Sequence, residues 1–323
     1  MRLHQHSEFR DAIVAAITYF APKGISTQLI EKDYYVTEAL RIIAGRWQGE
    51  VIFKGGTSLS KGWQLIDRFS EDIDLFLNKQ AFMPPLGANR VDRELTEIEA
   101  AVALHPGLIL VDKLGNRKRG ASRNSYFDYL SMFQGAESIS LIAPQILLEM
   151  GTRSGDYPIE KIELSSYLVD FLRAVGENLG TEEETSFPML LLDFRRTAIE
   201  KLFAIHSRVE QYIERGERLG KYTRHYYDLY CLFQQPEVRT LLESGEYREL
   251  KLDCDRISRA SFGDSYTPPP ELSFRDSLAL FPDSALQSYL SQEYTLQCRP
   301  LCYGDFPTWE EMVGCFESCR DWL

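Results

Sequence analysis

The chain lacks a long hydrophobic run, a dense set of cysteines and an excess of positive charge, and each lack removes a class of protein. No stretch approaches the ~18 consecutive apolar residues that cross a bilayer. Met1 to Phe9 carries His4, His6 and Glu8 where a secretory signal would have its apolar core. The expectation is therefore a cytoplasmic protein with no membrane partner. Six cysteines in 323 residues are too sparse for a disulfide framework. Cys298/Cys302 and Cys315/Cys319 form two CxxxC pairs, but Pro300 interrupts the first, and buried thiols are favoured over zinc. Acidic residues outnumber basic ones 48 to 36, a net charge of −12, which excludes indiscriminate coating of nucleic acid. Nine acidic and three basic side chains fall in Glu271–Leu323, so that segment alone carries −6. Low-complexity tracts and internal repeats are also missing. What is present, 44% hydrophobic and 12% aromatic residues, is enough to bury a sizeable core.

Periodicity divides the chain in two. Phe9, Ile13, Ala16, Ile17 and Phe20 recur at helix spacing until Pro22 and Gly24, and a second helix over Leu29–Ile43 has Ser26 as its N-cap. Strands are read at Glu50–Phe53 and Asp72–Leu77, with a short helix over Thr57–Trp63 between them and another over Arg90–Leu104. Weaker strand-like segments cover Gly107–Lys113, Ser125–Phe133 and Ser138–Met150. Beyond these, Tyr167–Leu179, Met189–Ile213 and Arg224–Phe233 read as helices with no strand between them. The pattern weakens past residue 245, and Pro268-Pro269-Pro270 marks a rigid loop.

The chemistry concentrates in Val51–Leu77, VIFKGGTSLSKGWQLIDRFSEDIDLFL. Gly55-Gly56 lets the backbone turn tightly and approach a ligand, and Thr57-Ser58 opens a helix whose N–H groups favour phosphate oxygens. Asp72 and Asp74, two apart in a strand, project from one face while Ile73 and Leu75 fill the other. Adjacent carboxylates repel unless a cation lies between them, which makes the pair a ready Mg²⁺ site. Glu149, set among apolar residues in Gln145–Met150, is a third carboxylate that calls for a metal or an arginine partner; Glu137 and Glu163 are the fallback candidates.

Together these residues resemble the DNA polymerase β-like nucleotidyltransferases. Phe53-Lys-Gly-Gly-Thr-Ser-Leu-Ser-Lys61, Arg68-Phe-Ser-Glu-Asp-Ile-Asp74 and Ile30-Glu-Lys-Asp-Tyr-Tyr35 narrow the likeness to the AbiEii/MenT nucleotidyltransferase toxins of type IV toxin–antitoxin and abortive-infection systems. Arg195-Arg-Thr-Ala-Ile-Glu-Lys201 and Arg224-His-Tyr-Tyr-Asp228 match the family's third and fourth motifs, so the resemblance covers roughly residues 28–235. Read from the residues alone, Thr197, Lys201 and Arg208 form a polar stripe that ordinarily faces solvent, and Asp228 has an i,i+4 ion pair with Arg224 as its plain explanation.

The resemblance implies an α+β protein: a polymerase β-like nucleotidyltransferase domain with a small mixed sheet over residues 1–165, then a mostly helical domain over 166–323 with an acidic end. It implies transfer of NMP from an NTP, with release of pyrophosphate. Asp72, Asp74, Lys201 and Asp228 would be catalytic. Asp72, Asp74 and Glu149 would hold Mg²⁺. Lys54, Gly55, Gly56, Thr57, Ser58, Lys61, Arg68, Ser70 and Lys201 would bind the nucleotide, in a cleft between the two domains. The implied acceptor is the 3′ end of tRNA, gripped by Lys113, Arg117, Lys118, Arg119 and Arg123 or by Arg215, Arg218, Lys221 and Arg224, and the implied protein partner is a cognate antitoxin. The alternatives are transfer to a protein or small molecule, γ-phosphoryl transfer, and a silent partner-binding module.

Overall fold

The protein's computed structural model describes residues 1–70, 72–112, 115–133 and 143–323. Two compact units divide them: Met1–Gln64, Phe69–Thr152 and Ile159–Leu192 in the first, and Leu65–Arg68, Arg153–Pro158 and Asp193–Leu323 in the second. The first unit therefore continues to Leu192, past residue 165.

Eight strands among the described residues form the sheet of the first unit: β1 (Val51–Lys54), β2 (Asp72–Leu77), β3 (Ile109–Leu110), β4 (Asn116–Lys118), β5 (Ser122–Asp128), β6 (Gln145–Gly151), β7 (Ile159–Leu164) and β8 (Phe187–Leu192). Their order is β3-β5-β6-β2-β1-β8-β7, with β4 paired to β5. The sheet is mixed: β1 runs antiparallel to β2 and parallel to β8, while β2 runs parallel to β6. Burial alternates along β6, and β2 buries Ile73 and Leu75 opposite its aspartates. Ile52, Phe76 and Leu192 form a buried cluster with Leu190 packed on it.

Helices of this unit follow local signals. α1 (Phe9–Phe20) buries Phe9, Ile13, Ala16 and Phe20 at helix spacing. In α2 (Thr27–Arg46) the Ser26 hydroxyl accepts the Leu29 N–H, as an N-cap should. A single turn, α3 (Gly55–Thr57), runs on into a wider helical turn at Ser58–Gly62. α4 (Ala88–Ala103) and α5 (Tyr167–Val175) complete it.

Three readings of the sequence are corrected. Met189–Ile213 is not one helix: its first residues belong to β8, an internal strand whose apolar run shows no alternation. The strand β7 and the short β4 were also missed. Past residue 245, where the pattern weakened, the second unit is helical, with α9 (Gly245–Phe262), α10 (Ser284–Cys298) and α11 (Trp309–Glu317). They accompany α6 (Phe194–Arg215), α7 (Arg224–Phe233) and α8 (Pro236–Leu242). No described helix is long and apolar enough to cross a membrane. All six cysteines are free thiols, with Cys298 and Cys302 sulfurs 3.7 Å apart.

Candidate active site

In the first unit, strand register does the assembling. Lys54 pairs with Asp74, Asp74 with Glu149, and Glu149 with Asn124. Directly paired residues share a face, so a polar row Lys54–Asp74–Glu149–Asn124 crosses β1, β2, β6 and β5 at the ordinary interstrand spacing of about 4.8 Å. Asp72, two residues from Asp74, lies on that face as well, while Ile73 and Leu75 are buried on the other. Asn124 Nδ2 donates to Glu149 Oε1 at 3.5 Å. Of the fallback carboxylates, Glu163 is exposed on β7, at the edge of the sheet, and Glu137 lies outside the described residues.

The glycine turn is fitted to this row. Gly55 has φ +76, and a Cβ there would stand 1.9 Å from Asp74 Oδ2 and 2.9 Å from Asp74 Cβ. Only glycine allows the turn to lie against that carboxylate. The hydroxyls beside it hold the turn: Thr57 Oγ1 donates to the Asp72 carbonyl, and Ser58 Oγ to the Gly55 carbonyl at 2.9 Å. Ser70 Oγ donates to Asp72 Oδ1 at 3.1 Å. Lys61 is committed elsewhere, with Nζ 2.6 Å from Asp33 Oδ1 and 2.8 Å from the Ser165 carbonyl.

The segment Glu31-Lys-Asp-Tyr-Tyr35 explains itself as scaffold. Asp33 also accepts the Tyr167 N–H at 2.8 Å, Glu31 accepts from Ser131 and Met132, and Lys32 donates to the Ala143 carbonyl. Each polar end of this buried stretch holds a different loop of the first unit.

In the second unit Asp228 is fully buried on α7. Arg68 grips it with two hydrogen bonds, Nε to Oδ1 at 2.6 Å and Nη2 to Oδ2 at 2.7 Å, and Lys201 Nζ stands 2.7 Å from Oδ2. Burial would raise this carboxyl, but the charges of Arg68 and Lys201 outweigh it and hold it well below the usual carboxylate range. Asp228 thus has partners far away in the chain, and Arg224 Nε donates to the Gln297 carbonyl. The stripe on α6 faces inward: Thr197 and Lys201 are buried, and Arg208 stacks over the Tyr222 ring at 4.2 Å and donates to its hydroxyl. Arg68 is itself strapped by the C-terminal region, through a β-bridge to Cys302 and through the Asp67 carbonyl, which accepts from Tyr303 and Gly304.

Arg195 and Arg196 hold structure together. Arg195 Nη2 pairs with Asp193 at 2.7 Å, at the N-cap of α6. Arg196, 1% exposed, donates to Asp253 and the Tyr157 carbonyl, and a Cβ on Gly155 would strike its guanidinium. His225, absent from the sequence-derived set, has Nδ1 3.3 Å from Lys201 Nζ; a histidine three residues before a buried aspartate was its only signal.

Of the basic clusters, Arg117, Lys118 and Arg119 are exposed on β4 and the turn after it, whereas Arg123 pairs with Glu99. Lys113 lies outside the described residues. Arg215 is flanked by Glu214 and Glu217, and Arg218 pairs with Glu293.

One group of three ligand atoms among the described residues, Glu38, His105 and Glu183, is mutually within 4.8 Å. It fits a cation poorly. Arg2 Nη1 already sits 2.6 Å from Glu183 Oε1, and His105 Nδ1 accepts the Gly107 N–H, which leaves the ring proton on Nε2. The carboxylate row fits Mg²⁺ better in chemistry, offering hard oxygen donors against a glycine-lined turn.

A strand pair presenting carboxylates beside a glycine turn has the chemistry to receive a phosphate group together with a metal ion. The family model described as "Nucleotidyl transferase AbiEii toxin, Type IV TA system" matches residues 39–312, and the chain belongs to that family: it is an NTP-dependent nucleotidyltransferase toxin. The match runs well past residue 235, where the motif resemblance ends. Among solved structures the chain is similar to MenT4, nucleotidyltransferase toxin Rv2826c from Mycobacterium tuberculosis H37Rv, at 16% identity over 97% of each chain with a TM-score of 0.49. No curated protein matches it. A type IV toxin has a cognate antitoxin as its partner.

Proposed function

We propose that this toxin transfers NMP from an NTP to the 3′ acceptor end of tRNA, and so blocks aminoacylation and translation. The observation that carries the reading is the row in which Asp74 and Glu149 stand in register with Asp72 two residues along β2, the Gly55 backbone lying against the Asp74 carboxylate. Asp72, Asp74 and Glu149 are the residues to hold Mg²⁺. Bound there, the ion would offset charge on the phosphate oxygens and lower the pKa of the attacking hydroxyl.

The chain's own residues supply the rest. Backbone N–H groups of Gly55, Gly56 and Thr57 receive phosphate oxygens; Ser58 holds the turn, its N–H and its hydroxyl both donating to the Gly55 carbonyl, while the Thr57 hydroxyl donates to the Asp72 carbonyl. Lys54 stands next to Asp74 in the row and adds positive charge. Ser70 orients Asp72 through its 3.1 Å hydrogen bond. Lys201 neutralises the triphosphate, and Asp228, fixed by Arg68, orients Lys201. Lys61 and Arg68 act by holding other residues in place. Arg117, Lys118 and Arg119 supply an exposed basic edge for the RNA backbone.

Incubation with Mg²⁺, each labelled NTP and either intact or 3′-periodate-oxidised tRNA tests the acceptor. Label on intact tRNA alone is expected. Equal labelling of oxidised tRNA, or label only on protein or a small molecule, would refute the tRNA 3′ end as acceptor.

A further inference from the structure

His225 lies one turn before Asp228 on α7, and the chemistry above does not use it. Its Nδ1 is 3.3 Å from Lys201 Nζ and 3.9 Å from Asp228 Oδ2. Burial, and next the Lys201 charge, push the imidazole down to about 4. The ring is therefore neutral at physiological pH, and the nitrogen facing an ammonium must be the one with the lone pair. A lysine ammonium has three N–H groups. Asp228 Oδ2 takes one at 2.7 Å and His225 Nδ1 a second, so the direction of the third is fixed as well.

Charge supports the same reading. Among the described residues, the groups facing the ring are Lys201 from α6, Asp228 from its own helix, Arg68 from the 65–68 segment and the Tyr222 ring at 5.8 Å. Arg68 and Lys201 against Asp228 leave one net positive charge. A neutral acceptor directs the ammonium without cancelling that charge, which suits a polyanionic substrate.

We infer that His225 is a positioning residue, whose Nδ1 acts with Asp228 to aim the third N–H of Lys201 at phosphate oxygens of the nucleotide. The inference rests on the phosphate role proposed for Lys201. Steady-state NMP transfer over a range of NTP concentrations tests it in wild type, His225→Asn, His225→Phe and Lys201→Ala, with a thermal melt of each. Asparagine places a carbonyl oxygen near the position of Nδ1, and phenylalanine fills the ring volume with no acceptor. His225→Phe is expected to raise KM for NTP about tenfold, and His225→Asn to stay within about threefold of wild type. Wild-type KM in His225→Phe, or equal impairment of both variants, would overturn the inference. If His225→Phe fails to fold, His225→Leu replaces it in the comparison. Loss of activity in Lys201→Ala alongside wild-type kinetics in His225→Phe overturns the positioning role alone; wild-type kinetics in Lys201→Ala overturns the reading beneath it.

Discussion

Replacing Gly55 by alanine probes the joint between the glycine turn and the carboxylate row. Two costs add. At φ +76 a side chain costs about 1–2 kcal/mol relative to glycine. The new Cβ also falls 1.9 Å from Asp74 Oδ2, 2.7 Å from Cγ and 2.9 Å from Cβ, so rotating the carboxylate does not relieve the overlap. Overpacking of this kind costs about 1–3 kcal/mol. The sum, about 2–5 kcal/mol, corresponds to a fall of roughly 4–20 °C in melting temperature for a unit of this size. Gly49→Ala, where a Cβ meets nothing within 4 Å, serves as control and should lie within about 0.5 kcal/mol of wild type. Asp74→Gly removes the three atoms nearest the new Cβ. In the double variant Gly55→Ala/Asp74→Gly, a cycle of melts should return about 1–3 kcal/mol of coupling while NMP transfer stays lost. Gly55→Ala as stable and active as Gly49→Ala, or a coupling of zero, would refute the packing of the turn on Asp74.

Other consequences follow from the buried charges. Asp228→Asn removes the carboxylate that Arg68 and Lys201 share and should cost about 3–5 kcal/mol at neutral pH by denaturant melts. Because the folded-state pKa of Asp228 is depressed, its stabilisation is complete above the ordinary value of 3.8 and is lost as pH falls below that toward the folded value. Wild type should therefore lose stability on that acid limb more steeply than Asp228→Asn. Glu38 behaves oppositely: burial raises it to about 7 from 4.5, so the folded state binds its proton more tightly and stability falls as pH rises across that interval. Glu38→Gln should flatten this slope and raise the melting temperature at pH 8, since its Oε2 has no hydrogen-bond partner to lose. Lys61→Met should destabilise the first unit by about 3–5 kcal/mol by stranding the Asp33 carboxylate.

How far the site could be read in advance depended on distance along the chain. The i,i+2 rule put Asp72 and Asp74 on one face, and β2 has the bounds that its pattern implied. Glu149 was identified from an acidic residue in an apolar strand, and the register places it beside Asp74. Arg68 and Asp228 lie 160 residues apart, and no local pattern joins them. The resemblance implied that Lys61 binds the nucleotide, and nothing local in its motif signals the ion pair it makes with Asp33 on another helix. β8 was taken for helix because its run is apolar on both faces although Pro188 is exposed and Leu190 only half-buried, and Met189-Leu-Leu-Leu192 fits either period.

The account stands most directly on where the phosphate label goes. Wild type and the Asp72→Ala, Asp74→Ala and Glu149→Gln variants, each shown to be folded, are supplied with Mg²⁺, tRNA and NTP labelled at either the α- or the γ-phosphate. The account predicts α-label in the RNA, γ-label in pyrophosphate, and at least ~100-fold less transfer in the two aspartate variants. Transfer of γ-label to an acceptor, or undiminished transfer by Asp72→Ala, would contradict it.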